Sequence, residues 1–173
     1  MATGGCGTTP ADLTNEVTEY LVGRVSSFKD RIDATLIERG LFERPLEHYK
    51  VVIGENTPID VFPAVRIIYD RTETEWFATR TRSDARYYYI DVLSKNVRRE
   101  IRDELLWTIA STVQNLLVQF NFLQFSIPDT HPTVTAYDSW AGNLSMGYSN
   151  DGALNIARIN WWCKVFNPYV LGR

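Results

Sequence analysis

The sequence predicts an α+β domain: a mostly antiparallel β-sheet, two amphipathic helices packed on one side of it, and a long β-hairpin arm. Apolar residues recur at three- and four-residue steps over two stretches, about 10–39 and 96–120. The segments between and after them alternate apolar and polar residues at a period of two, which places successive side chains on opposite faces of a sheet. The resulting order is helix, strands, helix, strands, which segregates helices from an antiparallel sheet.

Residues 1–9 open on small, uncharged, Gly-rich chain and are expected to be a flexible tail; residues 10–173 read as a single domain. Thr9, Pro10 and Asp12 form a helix start, with a capping hydroxyl, a proline at the first helical position and a carboxylate facing the helix dipole. Leu13, Val17, Tyr20, Leu21, Val25, Phe28, Ile32 and Leu36 then make one apolar stripe. Gly40 ends it, and Ser26-Ser27 offers a bend. "HYKVVIGE" reads as a short strand and "IDVFPAVRIIYD" as a loop entering a second, with Pro63 confined to its start.

From Tyr69 to Leu93 the chain has length for two antiparallel strands with a polar connection around Arg80 to Ala85, a hairpin longer than a compact core needs. A second helix, about 96–120, carries Ile101, Leu105, Thr108 or Ile109, Thr112, Leu116 and Phe120 on one stripe. Glu100 and Asp103 are interleaved there with Arg98, Arg99 and Arg102, which reads as a salt-bridged surface and not as paired catalytic acids. The last third is strand again: "TVTAYDSW", "NLSMGYS" and "ALNIARINWWCKVF", separated by Ala-Gly-Asn and by Asn150-Asp151-Gly152. Ala157, Ile159, Trp161, Cys163 and Val165 share the core face of the final strand; Arg158, Asn160, Trp162 and Lys164 share the other.

A net charge of −3 argues against a protein devoted to a phosphate backbone, which would show a basic excess. The start of the chain has neither the basic nor the apolar region of a secretion signal, no run approaches the length of a membrane span, and no membrane partner is expected. Cys6 and Cys163 match no zinc spacing, no Gly-rich phosphate loop is present, and His48 and His131 stand apart from other ligands, so neither cofactor, metal nor catalysis is expected. Aromatics reach 13%, and Lys appears only at Lys29, Lys50, Lys95 and Lys164, leaving the basic side chains overwhelmingly Arg. Tyr, Trp and Arg are the residues that protein interfaces concentrate.

The segment from Arg71 to Val92 focuses that composition. Arg71, Arg80, Arg82 and Arg86 are matched by Glu73, Glu75, Asp84 and Asp91, with Trp76 and Phe77 among them. Arg and aromatics together would suit single-stranded nucleic acid, and a membrane wedge is a further reading, but balanced charge disfavours both. Opposite signs that set register beside rings that supply area suit a protein interface. Its candidate residues are Arg71, Glu73, Glu75, Trp76, Phe77, Arg80, Arg82, Asp84, Arg86 and Trp162.

The layout as a whole resembles the tail-terminator and neck proteins of tailed bacteriophages. "FPAVRIIYD", the long hairpin, "YYYIDVLSKN" leading into "REIRDELLWTIASTVQNLL", and a β-meander ending in "ALNIARINWWCKVF" carry the likeness, over about residues 11–167. It implies a non-enzymatic virion subunit that assembles as a ring, usually a hexamer, made in the host cytoplasm and built into the tail or neck of the virion. The ring would end the tail tube and join it to the neck connector, with a sheath as a further partner and DNA passing through the channel without specific binding. It further implies an arm from Arg71 to Ala85, and an inner sheet including Tyr87 to Val92 and Leu154 to Phe166. The alternative from the residues alone is a domain that binds a small molecule or peptide in a cleft lined by Tyr88, Trp140, Tyr148 and Trp162.

Overall fold

The computed structural model describes residues 10–78, 81–95, 99–118, 135–148 and 154–167. Helix α1 (Pro10–Ser26) and helix α2 (Lys29–Glu38) continue one apolar stripe across a break. Val17, Leu21, Val25, Phe28, Ile32 and Leu36 all enter the same core. At the break the Ser27 N–H reaches the carbonyls of Gly23 (3.2 Å) and Arg24 (3.1 Å), Phe28 N–H reaches Val25 O (3.2 Å), and the Ser27 hydroxyl donates to Arg24 O (2.7 Å). These three-residue bonds tighten the end of α1, so the bend expected near Ser26-Ser27 is a short interruption between two helices. Gly40, at φ 70°, then ends α2 as the sequence predicts. Its N–H bonds Ile37 O (2.9 Å) while Leu41 N–H bonds Leu36 O (3.0 Å), the paired closure of a left-handed helix end.

Strand β1 (Lys50–Ile53) runs parallel to β2 (Ala64–Ala78); β3 (Thr81–Lys95), β5 (Leu154–Asn167) and β4 (Thr135–Tyr148) continue the sheet antiparallel, in the order β1-β2-β3-β5-β4. Helix α3 (Arg99–Val118) returns along the helix-bearing face, where Leu105, Leu106, Ile109, Ala110, Val113 and Leu117 are buried. Val65 and Ile67 of β2, Tyr88, Ile90 and Val92 of β3, and Ala157, Ile159, Trp161, Cys163 and Val165 of β5 meet the helices from below. The period-two reading of the last strand is thus the core face itself.

Two expectations need correction. The polar connection expected around Arg80 to Ala85 is absent from that place, because Ala78 pairs with Thr81 and Ser83 to Ala85 lie within β3. Asp84, within that stretch, is buried and accepts a 2.8 Å bond from the Thr74 hydroxyl. The Ala-Gly-Asn turn is likewise absent: β4 runs unbroken through Ala141, Gly142 and Asn143, and the glycine marks a register shift between Ala141 and Leu144. The long hairpin itself is formed by β2 and β3, paired from Ala64↔Leu93 to Ala78↔Thr81. Strand β5 pairs with β3 from Lys95↔Leu154 to Arg82↔Asn167, and β4 accompanies β5 to Thr135, so residues 71–85 form one end of a long four-stranded sheet. The Asn150-Asp151-Gly152 turn and the 1–9 tail lie outside the described residues.

Candidate subunit interface

One residue of irregularity in β2 decides what the sheet face opposite the helices displays, a face that no element among the described residues covers. Up to Tyr69 the odd-numbered side chains of β2 face the helices; a register shift between Tyr69↔Tyr88 and Arg71↔Tyr87 reverses this. Arg71, Glu73 and Glu75 thereby turn to the uncovered face beside the odd-numbered residues of β3. The register then aligns Arg71, Tyr87, Trp162 and Trp140 as a single rung crossing β2, β3, β5 and β4. Trp140 is 52% exposed, and Tyr87 and Trp162 are half-buried.

Charges lie against these rings instead of projecting freely. The Arg71 guanidinium sits 4.2 Å from the Tyr87 ring centroid while its Nε donates to Glu73 Oε1 (2.9 Å), and it also contacts Asp70. The Tyr87 hydroxyl donates to Glu73 Oε2 (2.9 Å). Hydrogen bonds from Arg71 and then Tyr87 hold the Glu73 carboxyl below its ordinary range, and its acceptance of the Tyr87 proton pushes that phenol up. Lys164 Nζ lies 5.9 Å from the Trp162 ring.

Four residues along the strands, a charged rung holds the other end of the face. Asp91, fully buried, accepts a bidentate pair from Arg158 (2.7 and 2.9 Å) and a third bond from Arg66 (3.3 Å). Arg158 also lies 4.5 Å over the Tyr89 ring, and Arg66 Nη1 donates to Glu55 O (2.7 Å) in the segment leaving β1. Stacked, bidentate arginines lose little further freedom when a partner covers them, unlike lysines on free stems. Rings at the centre with paired charges toward the rim is the anatomy of a protein–protein contact.

Of the residues expected from sequence, Arg71, Glu73 and Trp162 come together on this face, and Glu75 is exposed beyond them. Asp84 and Arg86 do not join them. Both are fully buried on the helix side, 3.8 Å apart, where Arg86 Nη1 donates to the Thr14 hydroxyl on α1. Arg80 and the side chains of Trp76, Phe77 and Arg82 lie outside the described residues. Tyr87, Tyr89 and Arg158, which share this face, were not among the candidate residues, although Tyr87 to Val92 and Leu154 to Phe166 were expected in an inner sheet; the period-two pattern placed Arg158 opposite the core face, but only cross-strand register shows the rung. The alternative cleft does not form as expected, since Tyr88 is buried on the opposite face from Trp140 and Trp162, with its ring 5.7 Å from Trp161.

Among the described residues, the geometry defines an α+β protein whose sheet is helix-covered on one face and aromatic, charge-paired and without a covering element on the other. Among solved structures, a chain from "Virion of native gene transfer agent (GTA) particle" is similar, with a TM-score of 0.51 at 11% identity over 85% of this chain and 95% of that one. At that identity the likeness establishes a shared fold. No protein-family model and no curated protein matches the sequence.

Proposed function

We propose that this chain is a non-enzymatic virion structural protein, a ring-forming subunit that ends a tail tube and joins it to the neck connector around the DNA channel. The carrying observation is the open sheet face: the Arg71–Tyr87–Trp162–Trp140 rung, flanked by charges already paired within the chain. The element order that resembles tail-terminator and neck proteins supports this reading, as does the fold shared with a chain of a gene transfer agent virion. A hexamer, contacts with tube and neck proteins, and a sheath as a further partner belong to the same proposal. DNA would slide through a channel that holds it weakly, consistent with a net charge of −3.

The rung is tested by replacing Trp140 and Trp162 together with Ser. Neither side chain belongs to the helix-side core, so the variant should melt within a few degrees of the parent and show the same far-ultraviolet circular dichroism. Rings seen for the parent by electron microscopy, alone or on recombinant tube, should be absent. Rings that persist in the folded variant, or a parent that stays monomeric even on tube, would sink the proposal.

A further inference from the structure

The rung supplies one contact surface, and a ring of identical copies needs two. A contact that joins different surfaces propagates head to tail until the rotation closes, so each copy must carry a second surface complementary to the first. Helix α3 presents one. Trp107 is 46% exposed there, on the side turned away from the buried Leu105, Leu106 and Ile109. Glu104, Trp107, Ser111, Gln114 and Val118 recur at three- and four-residue steps and form a single outward stripe, with Glu104 and Val118 also exposed. The Ser111 hydroxyl donates to Thr108 O (3.2 Å) and Gln114 Nε2 donates to Gly142 O, so the polar side chains at the middle of the stripe are already bonded within the chain.

Size and charge match this stripe to the rung. A helix laid on the second face of a sheet completes one of the common layer arrangements. The rung crosses four strands, about 14 Å, and the stripe from Glu104 to Val118 runs about 21 Å along its helix, long enough to span it. On α3, Arg102 Nε bonds Asp103 (3.1 Å), while Glu104, one turn before Trp107, has no ion pair among the described residues. On the sheet, Arg71 is engaged by Glu73 and Arg158 by Asp91. Lys164 is different: Asp138 stands opposite it in the register, yet among the described residues Lys164 forms no ion pair, and its Nζ lies 5.9 Å from the Trp162 ring. Each surface therefore sets an unpaired charge beside a tryptophan, and the two charges are opposite. Large buried anchors tend to meet anchors on the partner, and opposite charges fix the register between them.

We infer that α3 of a second copy covers the rung, with its Trp107 against Trp162 and Trp140 and its Glu104 facing Lys164. The inference rests on the reading of this chain as a ring-forming subunit, and it names the surface that meets the rung.

Charge reversal tests the pairing in the full chain, with the concentration at half-assembly read by sedimentation and rings counted by electron microscopy, alone or on recombinant tube. Glu104→Lys and Lys164→Glu should each raise that concentration about tenfold or more, and the double reversal should return it to within about threefold of the parent. Trp107→Ser should weaken assembly at least as much as either reversal while circular dichroism and melting stay those of the parent. Glu19→Lys, an exposed reversal on α1, controls for net charge: alone it should change little, and it should not rescue Lys164→Glu. Rings that form equally well with Trp107→Ser, a double reversal no better than the single ones, or rescue by Glu19→Lys overturns the inference and leaves the ring reading standing. Reversals that spare rings and abolish only tube binding also overturn it, assigning the stripe to the tube protein. A parent that forms no ring even on tube sinks both.

Discussion

Arg86 shows how far a residue can depart from what its neighbours in sequence suggest. In "RTRSDARYYY" it stands among charges and reads as surface, yet it is fully buried beneath α1, with Asp84 at 3.8 Å and the Thr14 hydroxyl as acceptor. Its carboxylate partner is equally buried and is also held by Thr74. Charged side chains are rarely buried, so composition alone pointed outward, and only the continuation of β5 alongside β3 encloses the pair. Removing one member leaves the other charge poorly compensated in a low dielectric. Asp84→Asn should destabilise by about 3–5 kcal/mol in urea unfolding. Arg86→Met combined with Asp84→Asn should recover most of that loss; a double variant as unstable as the single one would show that the pair is not the unit.

Among the elements, one carboxylate fastens α2 to the connection after it. Asp33 accepts from Leu46 N–H (3.0 Å) and from Lys29 Nζ (2.6 Å), tying the chain thirteen residues on back to the helix. Asp33→Ala leaves the Leu46 N–H without its acceptor, at a cost of about 1–3 kcal/mol, and should speed amide exchange across 41–48 while α3 stays protected. Uniform loss of protection would mean that Asp33 supports the whole core. The helices themselves were legible, because an apolar stripe at helical spacing survives the interruption at Ser27-Phe28 and the closing Gly40 announces itself. The strands were legible as elements but not as pairings. A glycine within a long strand looks like a turn until register shows it at a shift, as at Gly142, and the reversal of β2 after Tyr69 has no sign in the local sequence. That reversal carries Arg71 and Glu73 to the open face, so the charged half of the candidate site was readable and the rung that unites it with Trp140 was not.

For the molecule as a whole, burial of neutral titratable groups in one shared core sets the response to alkali. Cys163, Tyr88 and Tyr49 all have their pKa raised chiefly by desolvation, the thiol to about 12 and the two phenols further. In the unfolded chain these groups lose protons near 8.5 and 10. Over that interval the native state holds protons that the unfolded state has released, so stability declines as pH rises. Their contribution is fully present below the unfolded values. It is then lost at about 1.4 kcal/mol per pH unit for each proton involved, first through Cys163 above about pH 8.5 and more steeply once the tyrosines join above about pH 10. Urea midpoints measured from pH 7 to 11 should therefore be flat and then fall in two limbs. Cys163→Ala should lower stability at every pH through the cavity it leaves, yet flatten the first limb and leave the second unchanged. A first limb that survives the substitution would assign the alkaline loss to other groups and detach it from the core beneath the helices.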